Sequence, residues 1–182
     1  MKNKKTLLSS IIILAMSFAF CSNDVLAQDK HKMQVTKAVC VLYPTVGNKV
    51  SGAITFTTTE KGVKVAVAIH GLTQGKHGFH IHECGDCSAA DASSAGGHFN
   101  PMGAMHGTAM DMSSHMGDMG NLIVDANGDA TIEYIDPMLS LSGDNSIIGR
   151  SIIIHKDEDD LKTQPTGNSG ARIACGVIGI GK

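Results

Sequence analysis

Beyond its first 27 residues the 182-residue chain has no apolar run approaching the roughly 20 residues that a membrane-spanning helix needs. It has no block of basic residues. The formal net charge is −2, and the first 27 residues hold three lysines and one aspartate, which leaves about −4 for the remainder. A weakly acidic chain without a basic patch is a poor partner for nucleic acid or an anionic membrane surface. A helical period of useful length is also missing, so the core must be built from strands. The length gives room for one domain with one core.

The first 27 residues stand apart. Met1 to Lys5 is basic, "LLSSIIILAMSFAF" is a short apolar segment, and "VLA" ending at Ala27 offers a small-residue cleavage site before Gln28. This is the anatomy of a secretory signal (1–27), with the working domain at 28–182 and no membrane attachment after cleavage. A lipid anchor through Cys21 fits poorly, because Phe20 is the wrong neighbour for that processing. Nothing marks the exported chain for release, so the expected compartment is the periplasm. Cys40, Cys84, Cys87 and Cys175 remain after cleavage, and in an oxidising compartment at least one disulfide is the default.

Strand signals dominate what is left. "TKAVCVLYP", "KVSGAITFTTTE", "GVKVAVAIHGL", "GKHGFHIHE", "RSIIIHK" and "ARIACGVIGIG" are short runs rich in β-branched residues. "NLIVDANGDATIEYI" carries Asn127-Gly128 between two such runs, a strong signal for a paired hairpin. About eight strands at this spacing predict an all-β antiparallel sandwich or barrel. Two long segments interrupt the rhythm, Gly85 to Gly120 and Asp157 to Gly170. Loops of that length in a compact domain are usually functional or disordered, and three histidines in the first favour function.

Nine histidines are a heavy load for this size. In "GFHIHECGDC", His80 and His82 project from one strand face roughly 7 Å apart, close enough to share an ion. Cys84 and Cys87 just behind them could be metal ligands or half of a disulfide. Imidazoles without thiolate favour copper(II). His98, His106, His115 and Asp118 form a second set suited to tetrahedral zinc, and His155 would have to come from a separate strand.

"GFHIHECGDC", "AGGHFNP", "HMGDMGN", "LSLSGDNSIIGRSIIIH" and "TGNSGARIACGVIGIG" closely resemble the copper/zinc superoxide dismutase family, in its bacterial, exported form. The likeness runs from about Thr36 to Lys182. It implies an eight-stranded Greek-key barrel that disproportionates superoxide to dioxygen and hydrogen peroxide. It implies copper on His80, His82, His98 and His155, zinc on His98, His106, His115 and Asp118, and His98 bridging the two as an imidazolate. Asp159 matches the carboxylate that links His80 to His106, and Arg172 the cation that docks superoxide beside copper. The resemblance also supports a Cys87–Cys175 disulfide, which leaves Cys40 and Cys84 as thiols, and it allows a homodimer. Cys84 stands where animal members place an apolar residue at the subunit contact. The 157–170 segment lacks the acidic pair of the animal enzymes.

Plainer readings apply elsewhere. His77 is expected to be a structural hydrogen-bonding residue, His70 and His31 to lie at the surface, and Asp157, Glu158 and Asp160 to be solvated loop charges. The six methionines from Met102 to Met119 read more simply as adaptable apolar filler than as ligands of copper(I). The rival function is an exported copper and zinc carrier without turnover, which would need neither Arg172 nor a bridging His98.

Overall fold

Burial alternates along β1 (Lys37–Pro44), β2 (Ser51–Thr59) and β3 (Gly62–His70), so each turns one face to the core. Ala38, Cys40 and Leu42, then Ile54 and Phe56, then Val63, Val65, Val67 and Ile69 all enter one core. Each large apolar side chain fully buried there stabilises by about 1.5–3 kcal/mol. The structure, a computed structural model, describes residues 35–182. The leader and His31 lie outside the described residues. Strands β4 (Gly75–His82), β5 (Asp118–Val124), β6 (Ala130–Asp136), β7 (Ser151–His155) and β8 (Arg172–Ile180) complete the set. A 3₁₀ turn at Ser93–Ala95 is the one helical element among the described residues.

All neighbouring strands are antiparallel, in the order β5-β4-β7-β8-β1-β2-β3-β6. The all-β expectation holds, as a nearly closed barrel. Among the described residues no helix is long and apolar enough to cross a membrane.

The Asn127-Gly128 expectation needs correction. The turn forms, with Gly128 at φ +85° and Asp125 N–H donating to the Asp129 carbonyl at 2.9 Å. The two runs do not pair with each other, however. β5 is laddered to β4 and β6 to β3, so the turn joins the two ends of the strand order across the nearly closed seam. The sequence signal specified the turn, and the apolar faces chose other partners.

β4 and β7 are buried on both faces. Phe79 and Ile81 point into the core, whereas His80 and His82 point out of the barrel and are covered by loops. The covering segments are 83–117 and 156–171; the first ends earlier than expected, because Asp118 already belongs to β5. Backbone hydrogen bonds from Ile81 to Gly117 and from Phe99 to Ile81 hold the first loop against β4. Two bulges lie at this end. An extra residue on β5 shifts the register between Gly78 and His80, and Ile173 is the extra residue that brings Arg172 opposite His155. A bulge re-aims side chains, and both here do so at the histidine cluster.

Candidate metal centre

Four imidazoles meet beneath the loops: His80 and His82 from β4, His155 from the end of β7, and His98 from the 83–117 loop. All four are buried, with one ligand atom from each within 4.8 Å of the others. Their far ring nitrogens are committed. His80 Nε2 donates to Asp159 Oδ2 at 2.6 Å, His82 Nδ1 to the Gly96 carbonyl at 2.9 Å, and His155 Nδ1 to the Gly170 carbonyl at 3.2 Å. A ring that donates through one nitrogen presents a lone pair at the other. Those other nitrogens, His80 Nδ1, His82 Nε2 and His155 Nε2, have no hydrogen-bond partner, and neither does His98 Nε2. Leaving a buried polar atom unpaired costs about 1–3 kcal/mol each, and one cation satisfies all four.

Three of the rings, His80, His82 and His155, are also held neutral. Burial, with the like charge of neighbouring imidazoles, pushes His82 down to about 2 and His155 to about 3. Burial takes His80 to about 4 against the pull of Asp159. Neutral imidazole is the ligating form.

The second group shares His98. Its Nδ1 lies 2.8 Å from Asp118 Oδ1, with His106 Nδ1 at 3.0 Å and His115 Nδ1 at 3.2 Å from the same oxygen. His98 Nδ1 and His115 Nδ1 are 3.4 Å apart. Three ring nitrogens around one carboxylate oxygen are more than its lone pairs can serve, and a tetrahedral ion among the four groups resolves the crowding. Asp118 Oδ2 is fixed separately by the Gly107 and His115 amides.

Asp159 joins the groups. Its Oδ2 accepts from His80 and its Oδ1 accepts from His106 Nε2 at 2.9 Å. Burial opposes both charges, yet the contacts prevail: Asp159 is held well below the usual carboxylate range, and Asp118 and Asp159 together raise His106 to about 9. Two positioning residues were not foreseen. Asn121 clamps the Asp159 backbone in both directions, at 2.8 and 2.9 Å, and Gln164 does the same to His106 at 2.8 Å each way. Asn121 closes the "HMGDMGN" motif and could have been suspected; nothing marks Gln164 in the sequence. Gly167 is required where it stands, because a Cβ there would fall 2.5 Å from His106 Nε2.

The copper/zinc superoxide dismutase (SODC) family model matches residues 50–178. The chain belongs to the copper/zinc superoxide dismutase family. It is 45% identical to the superoxide dismutase [Cu-Zn] of Onchocerca volvulus, over 80% of this chain and 97% of that one. It is 39% identical to the extracellular enzyme of Caenorhabditis elegans, over 92% and 77%. The crystal structure of the clock protein EA4 superposes with a TM-score of 0.74 at 42% identity, covering 81% of this chain and 96% of that one. The dismutase takes one copper and one zinc per chain, and the two donor groups fit that pair.

Arg172 lies at the rim of the dismutase centre, its guanidinium donating to the Ala92 and Gly96 carbonyls at 2.7 Å each. The Cys87–Cys175 disulfide forms as expected and ties the same loop to the same strand. Cys40 and Cys84 are free. Burial raises the Cys40 thiol to about 12, so it is an inert core residue, and Cys84 is exposed and outside both donor groups. His77 is structural as expected, with Nδ1 2.9 Å from the His155 carbonyl and Nε2 against the Thr73 carbonyl and hydroxyl at 3.0 and 3.1 Å. His70 is a surface residue paired with Asp129, and Glu158 an exposed partner of Lys76. Asp160 is exposed but not idle, since it caps the turn at Lys162 and Thr163.

Proposed function

We propose that copper sits on His80 Nδ1 and on Nε2 of His82, His98 and His155, and zinc on Nδ1 of His98, His106 and His115 with Asp118. The four unpartnered nitrogens facing one another carry this reading. The reaction converts two superoxide ions and two protons into dioxygen and hydrogen peroxide. Bound copper supplies the alternation between its +2 and +1 states, and bound zinc a fixed positive charge that favours deprotonated His98. The chain supplies the rest. His98 Nε2 is the atom that would hold a proton for the product whenever it is not bound to copper, because Nδ1 is engaged on the other side. Asp159 keeps His80 and His106 in their ligating orientations. Loops 83–117 and 156–171 exclude bulk water from the buried rings.

Arg172 is the anion dock. Two of its N–H groups are spent on carbonyls, which fixes the fork, and its remaining donors are available to a small anion. The chain as a whole is acidic, so capture rests on this local charge, with Lys162 exposed on the second loop. Superoxide kcat/KM is expected to fall with ionic strength, because a Debye length of about 8 Å at 0.15 M screens such steering. Arg172→Ile should lower kcat/KM by about 10–100-fold and flatten the salt dependence. An unchanged rate removes Arg172 from the mechanism. The reading as a whole is tested by metal content and dismutation measured on one sample: a chain holding one copper and one zinc without turnover is the carrier instead.

Residues 1–27 serve as a cleaved signal for export to the periplasm, and the domain spans 28–182. Relatives named extracellular, from Brugia pahangi and Haemonchus contortus among others, support export. A homodimer is supported by the exposed apolar residues Val41, Tyr43, Val177 and Ile180 on adjacent strands β1 and β8. Intact-mass and light-scattering measurements on exported protein should give a chain starting at Gln28 and twice its mass.

A further inference from the structure

Four of the six methionines between Met102 and Met119 are not core filler. Of the six between Met102 and Met119, Met119 is buried and Met116 half-buried, but Met102, Met105, Met110 and Met112 are 76%, 64%, 49% and 86% exposed. Four solvent-facing thioethers in eleven residues gain nothing from packing. Met110 also holds a left-handed backbone, φ +59°, where glycine or asparagine would be less strained. The loop folds back on itself: Met105 bridges to Ser114, the Asn100 side chain pins the turn carrying Met102 through Ala104, and Ser114 N–H donates to the Asp111 carbonyl. Met112 therefore lies two residues from the neighbour of Met105, and Met110 two residues from Met112. Methionine has three rotatable bonds, so sulfurs based this close can gather on one ion. The single charged side chain among them, Asp111, has an oxygen already engaged by Ser113.

We propose that Met102, Met105, Met110 and Met112 form a surface site for monovalent copper, separate from the two histidine groups. Thioethers are soft neutral donors that select copper(I) over zinc and over hard divalent ions. They carry no proton to lose, so this capture is insensitive to pH, unlike the histidine sites. The site belongs to the segment that also supplies His98, His106 and His115, so it holds copper on the loop that roofs the centre. Delivery from it to the histidines rests on the copper assignment above; the binding itself does not.

The test uses full-length mature enzyme already loaded with one copper and one zinc, carrying Cys84→Ser so that no exposed thiol competes. Copper(I) is titrated in competition with a copper(I) chelator. One further equivalent is expected, with sulfur scatterers in its X-ray absorption spectrum. Replacing the four methionines by leucine, which keeps size and apolarity, should abolish the extra equivalent and leave dismutation of the loaded enzyme unchanged. No extra copper, retention by the leucine variant, or a nitrogen-only coordination shell each overturns the site. Failure of the histidine assignment would show differently, as a starting enzyme that never reaches one copper per chain while the thioether equivalent still binds.

Discussion

His155→Ala is expected to abolish copper-dependent turnover while leaving a folded protein that still carries zinc. His155 reaches the first group only; the second is complete without it. Its backbone role survives the change, since His77 donates to the main-chain carbonyl of residue 155. Removing a partner that merely orients a ligand costs about 10–100-fold in metal affinity or activity, and removing a ligand should exceed that. The measurement is copper and zinc per chain by elemental analysis, beside dismutation and the circular dichroism spectrum. Copper and activity should fall together with zinc near one. Full turnover in this variant would show that the ligand assignment is wrong.

Breaking the Cys87–Cys175 bridge should have the largest effect on stability. The bond closes a loop of 88 residues. By chain entropy a closure of this size contributes roughly 4–5 kcal/mol. A domain of this length loses about 2–4 °C in Tm per kcal/mol, so Cys175→Ser should lower Tm by roughly 8–20 °C at matched metal content. Activity should fall too, because the tethered loop presents the Ala92 and Gly96 carbonyls that fix Arg172. A shift of only a degree or two would mean that the hydrogen bonds from Ile81, Glu83 and Cys84 hold the loop by themselves.

β1, β2 and β3 were legible as short runs rich in β-branched residues, although β1 is apolar on both faces and only the fold shows which one the core takes. In β4 period-two alternation separated Phe79 and Ile81 from His80 and His82, and the histidine grouping then pointed to metal. Other features depend on contacts between distant segments. Asn127-Gly128 announces a turn, but which strands pair is decided by burial across the whole barrel. Arg172 was legible only through the family resemblance, and the fold gives the physical reason, since the bulge at Ile173 sets it opposite His155. Gln164 matters only because the second loop lies beside His106. The methionines misled for a related reason: apolar composition predicts burial on average, and only the folded loop shows which side chains the core leaves out.

The single carboxylate of Asp159, with one oxygen on His80 and the other on His106, joins the two donor groups, so binding of the two ions is expected to be thermodynamically linked. Any tilt of the carboxylate that suits one ring moves the other, so filling one site is expected to change the affinity of its neighbour. Such cooperativity is reciprocal: whatever factor zinc adds to copper affinity, copper must add to zinc affinity. The order of loading then changes the path but not the final occupancy, and Asp159→Asn should shrink both factors equally.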